Sequence, residues 1–186
     1  MSRCLARASE SILLLVDLQP TFMSAIHEND RVLARSAFIA EAAKLLGIPV
    51  IATEQYPSRM GGTDPSLSSF LDVEPMAKMD FSCCGSAELV QLLEDRRRNQ
   101  VVLVGIETHI CVNQTVHDLL NQGFEAIVCA DATSSRTLDR HSIGLQRISS
   151  AGATVAHTES VVYEWLKSAD HPKFREALKL VKGAQW

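Results

Sequence analysis

Short apolar runs alternate with amphipathic stretches along most of the chain. The runs are apolar at consecutive positions rather than at every second one, which predicts strands that are buried on both faces. These predicted strands cover residues 11–17, 48–53, 101–104, 123–131 and 153–156. The intervening stretches repeat apolar residues every three or four positions, which predicts helices. The predicted helices cover residues 30–46, 86–98, 111–122, 137–150, 160–168 and 172–182.

Alternating buried strands and helices are typical of a parallel sheet that carries helices on both faces. We therefore predict one α/β domain over residues 1–186, with a three-layer α/β/α, Rossmann-like architecture. Residues 54–75 form the longest stretch without periodicity, and a loop of that length is usually functional or part of an interface. Ligands of such sheets bind beyond the carboxyl ends of the strands, where the strand order reverses.

Composition narrows the range of partners. A net charge of −4 and a pI near 5.8 argue against nucleic-acid binding, and no apolar run approaches the ~20 residues that a membrane span needs. Five cysteines, without a CxxC pair or a secretory signal, indicate reduced thiols. We expect a cytoplasmic protein. A mitochondrial location is the alternative, because residues 1–9 carry two arginines and no acid.

Two residues with reactive side chains follow predicted strands. Asp17 closes the first strand, and Cys111 lies where the strand at 101–104 gives way to a helix. Unpaired N–H groups at a helix start favour a thiolate, so this position predicts a lowered pKa and a nucleophilic role for Cys111. From the spacing alone, a buried structural cysteine is an equally good interpretation, because free cysteine is among the most buried residue types.

The remaining cysteines and one histidine are weaker candidates. Cys129 lies inside an apolar strand and is expected in the core, and Cys83 and Cys84 are interpreted as structural or incidental. A Cys–His pair would be another route to a thiolate. His109, however, lies only two residues from Cys111 in the same tight turn, so we interpret it as a loop histidine.

Four short motifs occur in order along the chain: Leu-Val-Asp17-Leu-Gln, Ala-Lys78-Met-Asp-Phe-Ser, Gly105-Ile-Glu-Thr-His-Ile-Cys111-Val and Asp131-Ala-Thr-Ser-Ser-Arg136. Together they resemble the motifs of the isochorismatase-like cysteine hydrolases. The resemblance covers essentially the whole chain. Residues 53–57 and 171–175 are more similar to the isochorismatase-domain-containing proteins of this family than to its nicotinamidases. The resemblance implies a six-stranded, mostly parallel sheet in the order 3-2-1-4-5-6. It also implies a catalytic triad of Asp17, Lys78 and Cys111.

This triad suits attack on a carbonyl. Asp17 would take the thiol proton and later deliver it to the leaving group, and Lys78 would stabilise the thiolate and keep Asp17 ionised. The backbone N–H groups of Ile110 and Cys111 are candidates for an oxyanion hole. The resemblance further implies a cis peptide bond between Ile106 and Glu107. Candidate substrate-pocket residues are Phe22, Tyr56, Phe81 and Glu107.

The chain also departs from the family pattern. Nicotinamidases carry an Asp-x-His pair and a further histidine that bind zinc after the second strand, but residues 53–59 contain no histidine. We therefore expect no catalytic metal and no cofactor. A second departure lies in the loop before Cys111, where Glu107 replaces the small residue that is common in the family. An acid beside the pocket disfavours anionic substrates.

The resulting functional hypothesis is a cysteine hydrolase of a small-molecule amide, or less favourably an ester or vinyl ether, that forms a covalent intermediate at Cys111. The alternative is a binding or scaffolding protein that retains the hydrolase fold. We expect a homo-oligomer, as is usual in this family, with residues 54–75 and the C-terminal helices as candidate contacts.

Overall fold

Six strands form one parallel sheet in the computed structural model, which describes residues 5–184. The strands are β1 (Ser11–Val16), β2 (Val50–Gln55), β3 (Met76–Lys78), β4 (Gln100–Ile106), β5 (Glu125–Ser134) and β6 (Thr154–Ala156). They lie in the order β3-β2-β1-β4-β5-β6, and every neighbouring pair is parallel. The predicted architecture and strand order are therefore confirmed. Cys4, one of the thiols interpreted as reduced, lies outside the described residues.

Helices cover both faces of this sheet. They are α1 (Pro20–Met23), α2 (Asn29–Leu45), α3 (Pro57–Met60), α4 (Ala87–Asp95), α5 (Asn113–Asn121), α6 (Leu138–Ser150), α7 (Thr158–Leu166) and α8 (Phe174–Gly183). Helices α2, α7 and α8 pack on one face, and α4, α5 and α6 pack on the other. No helix in the described part of the chain is long and apolar enough to cross a membrane.

The central strand shows why consecutive apolar residues are needed. Along β1, Leu13 and Leu15 face the α2–α7–α8 layer, whereas Ile12, Leu14 and Val16 face the other layer. Side chains of a strand alternate between its faces, so a strand covered on both sides buries every one of them. All six residues of β1 are buried.

Several boundaries differ from the sequence prediction. Strand β2 runs two residues further, to Gln55, because its end pairs with β3 through Gln55 and Lys78. The stretch at 54–75 contains α3 and a 3-10 helix, Pro65–Phe70, rather than loop alone. Cys111 lies inside a π-helical turn, Thr108–Val112, and the α-helix begins only after it. The nucleophile candidate therefore does not sit at the first residue of an ordinary α-helix.

Gly105 allows β1 and β4 to approach each other closely at their carboxyl ends, which precede Asp17 and Cys111. It pairs with Val16 and has φ +113°, a backbone conformation that glycine adopts freely. A Cβ at this position would lie 2.1 Å from the carbonyl oxygen of Val16. The absence of a side chain at Gly105 therefore sets the spacing between the strands that precede Asp17 and Cys111.

We predict that Gly105→Ala destabilises the protein by at least about 3 kcal/mol, because backbone must move to relieve the contact with Val16. The matched control is Gly152→Ala. Gly152 also has a positive φ, +108°, but nothing lies within 4 Å of its added Cβ, so only the conformational cost of about 1–2 kcal/mol applies. Urea unfolding of both variants measures the difference, and equal losses of stability would contradict the steric explanation.

Candidate active site

The carboxyl ends of the central strands surround a small pocket. Asp17 follows β1 directly, Lys78 is the last residue of β3, and Cys111 lies in the turn after β4. The pocket has a volume of about 190 Å³, and Asp17 and Cys111 both line it. This is the edge of the sheet at which the fold places ligands.

Asp17 and Lys78 form a buried ion pair. Lys78 Nζ donates to Asp17 Oδ2 at 2.7 Å, and the side chains of the lysine and aspartate are 1% and 3% exposed. The other carboxylate oxygen, Oδ1, accepts from the hydroxyl of Thr53 at 2.9 Å. Both oxygens of the carboxylate are therefore held by donors, which fixes its position.

Lys78 is held by more than Asp17. Its Nζ also donates to Gln55 Oε1 at 2.6 Å and to the backbone carbonyls of Asp80 and Phe81 at 3.3 and 3.2 Å. Burial by itself would lower the pKa of Lys78, but the negative charge of Asp17 offsets this and leaves the pKa raised. Lys78 does not line the pocket, so its ammonium group contacts the carboxylate rather than the pocket space.

The thiol of Cys111 is not stabilised as a thiolate. Burial raises its pKa, the negative charge of Asp17 raises it further, and the positive charge of Lys78 offsets only part of this. The lowered pKa expected from a helix start is therefore wrong for this site. The residue lies in a π-helical turn, is 8% exposed and has a carboxylate nearby. The raised pKa keeps the Cys111 thiol protonated at neutral pH, beside the carboxyl group of Asp17.

The two candidate oxyanion-hole donors differ in their surroundings. The Ile110 N–H donates to the carbonyl of Glu107 at 3.0 Å, so this donor is already engaged and would not be free for a substrate oxygen. Cys111 N–H remains the candidate. The peptide bond between Ile106 and Glu107 is cis, and both residues line the pocket.

The pocket wall is mostly apolar. Of the four residues proposed from sequence, Phe22, Phe81 and Glu107 line the pocket, together with Ala25 and Ile26. Tyr56 does not line it. The Tyr56 side chain is 39% exposed, and its backbone N–H donates to the carbonyl of Lys78, so its contact with the site is through the main chain.

Sequence reasoning missed several polar residues of this site, among them Thr53, Gln55 and Arg136. Thr53 and Gln55, both on β2, contact Asp17 and Lys78 as described, and Arg136 lines the pocket. Thr53 and Gln55 lie in the segment 53–57, whose sequence indicates the family but no role for either residue. Their alternation along one strand directs both to the same face, and this would have signalled their proximity had β2 been extended to its true end.

Cys83 lies closer to the triad than its sequence context indicated. Because the Thr53 hydroxyl is donated to Asp17, the Cys83 thiol, 3.5 Å away, is the donor to Thr53 Oγ1. The Cys83 N–H donates to Thr115 Oγ1, whose hydroxyl donates to the carbonyl of Cys111. Burial raises the pKa of the Cys83 thiol to about 11, so this thiol supports the site as a neutral group.

The other candidates lie away from the reacting groups. His109 Nδ1 is 2.9 Å from the Ser135 hydroxyl, and burial lowers the pKa of the ring. His109 does not line the pocket, and Cys129 is fully buried in β5, as expected. Within residues 5–184, no three His, Cys, Asp or Glu side chains are grouped so that they could hold a metal ion.

The fold and site together define a Rossmann-like α/β protein with a thiol and an ion-paired carboxylate at its strand ends. Residues 11–160 match the isochorismatase domain. The chain is 36% identical over 173 residues to mouse isochorismatase domain-containing protein 2A, covering 92% of this chain and 82% of the relative. The chain therefore belongs to the isochorismatase family.

Solved structures show the same fold. The MAR1 ribonuclease from Caenorhabditis elegans superposes with a TM-score of 0.93 at 34% identity, over 98% of this chain and 95% of that one. The YcaC gene product of Escherichia coli, described as an octameric hydrolase of unknown specificity, has a TM-score of 0.84 at 20% identity, over 100% and 98% of the two chains. The last of these supports the fold alone.

We predict that Asp17→Asn accelerates the alkylation of Cys111 but slows turnover. Removing the negative charge lowers the pKa of the thiol and leaves Lys78 as its charged neighbour, so alkylation by iodoacetamide at pH 7 should accelerate several-fold. Any thiol-dependent turnover should fall by at least about 10²-fold, because the base is lost. Peptide mass spectrometry follows the alkylation rate. Slower alkylation in Asp17→Asn would show that the carboxylate does not hold the thiol protonated.

Proposed function

We propose that this protein is a hydrolase that cleaves a small-molecule amide through a covalent thioester at Cys111. The observation that carries the proposal is the convergence of Cys111 and Asp17 on one pocket, with Lys78 bonded to the carboxylate at 2.7 Å. These groups lie far apart along the chain. A nucleophile, a base and a group that keeps the base ionised are what covalent acyl transfer requires.

The reaction would proceed in two halves. The sulfur of Cys111 attacks the carbonyl carbon while its proton passes to Asp17, and the developing oxyanion faces the Cys111 N–H. Asp17 then donates that proton to the leaving amine as the C–N bond breaks, which leaves a thioester. A water molecule attacks the thioester and gives a proton to Asp17. The sulfur departs and recovers that proton, and the carboxylic acid is released.

A protonated resting thiol fits this sequence. The proton that Asp17 must deliver to the amine is the one that the thiol carries at rest, so no external acid is needed. Lys78 would act through Asp17, because it contacts the carboxylate and does not line the pocket. Its charge balances that of the carboxylate at 2.7 Å and stabilises negative charge on sulfur during attack.

The pocket size favours a small substrate. A volume of about 190 Å³ corresponds to about six water molecules, which is below the range of pockets for drug-sized ligands. The leaving amine of an amide must receive the proton that the thiol carries at rest, whereas the leaving alkoxide of an ester depends on this proton less. A vinyl ether, which lacks a carbonyl for sulfur to attack, is the less favoured alternative.

Two other functions remain as outcomes of the test. A binding or scaffolding protein that retains the fold would keep the pocket without turnover. The name of the C. elegans relative raises RNA as a substrate, but the small pocket and a net charge of −4 favour a small uncharged molecule over a polyanion.

The decisive measurement is a panel of small amides, with product release and acyl-adduct formation on Cys111 followed by mass spectrometry. We expect at least one amide to give both an adduct mass on the peptide that contains Cys111 and the corresponding acid. Cys111→Ala should lose both signals, because the sulfur is the attacking atom.

The matched control is Cys84→Ala rather than Cys83→Ala, because Cys83 contacts Thr53 at the site whereas Cys84 does not line this pocket. Cys84→Ala should retain turnover. Turnover that survives in Cys111→Ala, or a panel that is bound but never cleaved, would refute the hydrolase proposal, and cleavage of RNA alone would replace it.

We also propose that the protein is a homo-oligomer. Large apolar side chains are exposed on its surface, among them Leu138 at 59% and Ile143 at 48% on or beside α6, and the octameric E. coli relative offers a precedent within the fold. Light scattering after size-exclusion chromatography should give a multiple of 20.4 kDa. A monomer at micromolar concentration would contradict this proposal.

A further inference from the structure

A second ion pair lies at the pocket. The Oε2 atom of Glu107 accepts from both the backbone N–H and the Nε of Arg136, each at 3.1 Å. The Glu107 side chain is 18% exposed and that of Arg136 is 48% exposed, and both residues line the pocket that contains Cys111. The pair therefore forms part of the surface that a ligand meets on its way to the thiol.

The charges around the pocket cancel in pairs. Three residues of the lining carry charge, namely Asp17, Glu107 and Arg136. Asp17 is compensated by Lys78 at 2.7 Å and Glu107 by Arg136 at 3.1 Å. The rest of the lining is uncharged and largely apolar, with Phe22, Ala25, Ile26, Ile106 and Ile110 among its members.

Arg136 without its partner would make a different pocket. A guanidinium group facing a small, largely apolar space is a strong binding group for carboxylates and phosphates. Glu107 occupies the Nε of that guanidinium and places a negative charge against it. An anion that entered the pocket would meet the charge of Arg136 already balanced by Glu107 and would be repelled by Glu107.

We propose that Glu107 determines specificity by neutralising Arg136, so that the pocket selects uncharged carbonyl compounds over carboxylates of the same size. The selected class is the small neutral amide. The proposal rests on Cys111 as the reacting group of the proposed function, but it concerns which molecules reach the thiol rather than whether they are hydrolysed.

Iodoacetamide and iodoacetate test this directly, because they have nearly the same size and the same reaction. In both, the sulfur forms a bond to the CH₂ carbon as iodide leaves, and the thiol proton is lost to the base or to solvent. The two second-order rate constants at Cys111 are measured by peptide mass spectrometry. The rate constant for iodoacetamide is divided by that for iodoacetate, and this ratio is then divided by the same ratio measured for glutathione. This correction removes the intrinsic difference between the reagents.

We expect the corrected ratio to favour iodoacetamide in the unmodified protein. In Glu107→Gln, whose amide oxygen can keep the bonds to Arg136 without the charge, the ratio should fall about tenfold at low salt, because the cation is no longer balanced. In Arg136→Gln the ratio should rise instead. The double variant should return towards the original value, and raising the salt concentration should shrink all three changes.

An unchanged ratio in Glu107→Gln would overturn the proposal, as would failure of both reagents to alkylate Cys111. If Glu107→Gln does not fold, Arg136→Gln decides the matter, because Arg136 is half exposed and its loss should still raise the ratio. A ratio that shifts as expected in a protein that hydrolyses no amide would uphold charge selection and refute the hydrolase proposal, so the two ideas fail separately.

Discussion

The buried ion pair between Asp17 and Lys78 is the constraint on which the site depends. Each charge would cost several kcal/mol to bury alone, and the 2.7 Å contact together with the hydrogen bonds from Thr53 and to Gln55 compensates them. These four residues come from the ends of β1, β2 and β3. The ion pair and its hydrogen bonds therefore persist only while three neighbouring strands keep their register.

The same ion pair sets the state of the thiol. A carboxylate next to a buried sulfur opposes a second negative charge, and this effect together with burial outweighs the attraction of Lys78. The pKa of the Cys111 thiol therefore lies above its ordinary value although a cation is nearby.

Charge balance links the reacting groups to the selection of ligands. The pocket pairs each of its negative charges with a positive one, and its remaining wall is largely apolar. Glu107, taken by itself, indicated a negatively charged rim that disfavours anions. Its contact with Arg136 changes the reason for that preference: the glutamate acts by cancelling a cation that would otherwise attract anions.

The sequence by itself determined the layered fold, because strands covered on both faces must be apolar at consecutive positions, and the runs at 11–16 and 101–104 show this directly. It also indicated Asp17, which directly follows a buried strand, and Cys111, which lies between a buried strand and the next amphipathic stretch. Lys78 was identified through resemblance to a family, because a single lysine after a short strand has no pattern of its own. Tertiary structure alone decided the raised pKa of the Cys111 thiol, the outward position of Tyr56 and the pairing of Glu107 with Arg136. These depend on burial and on distances between atoms of residues far apart along the chain, which no local pattern of residues encodes.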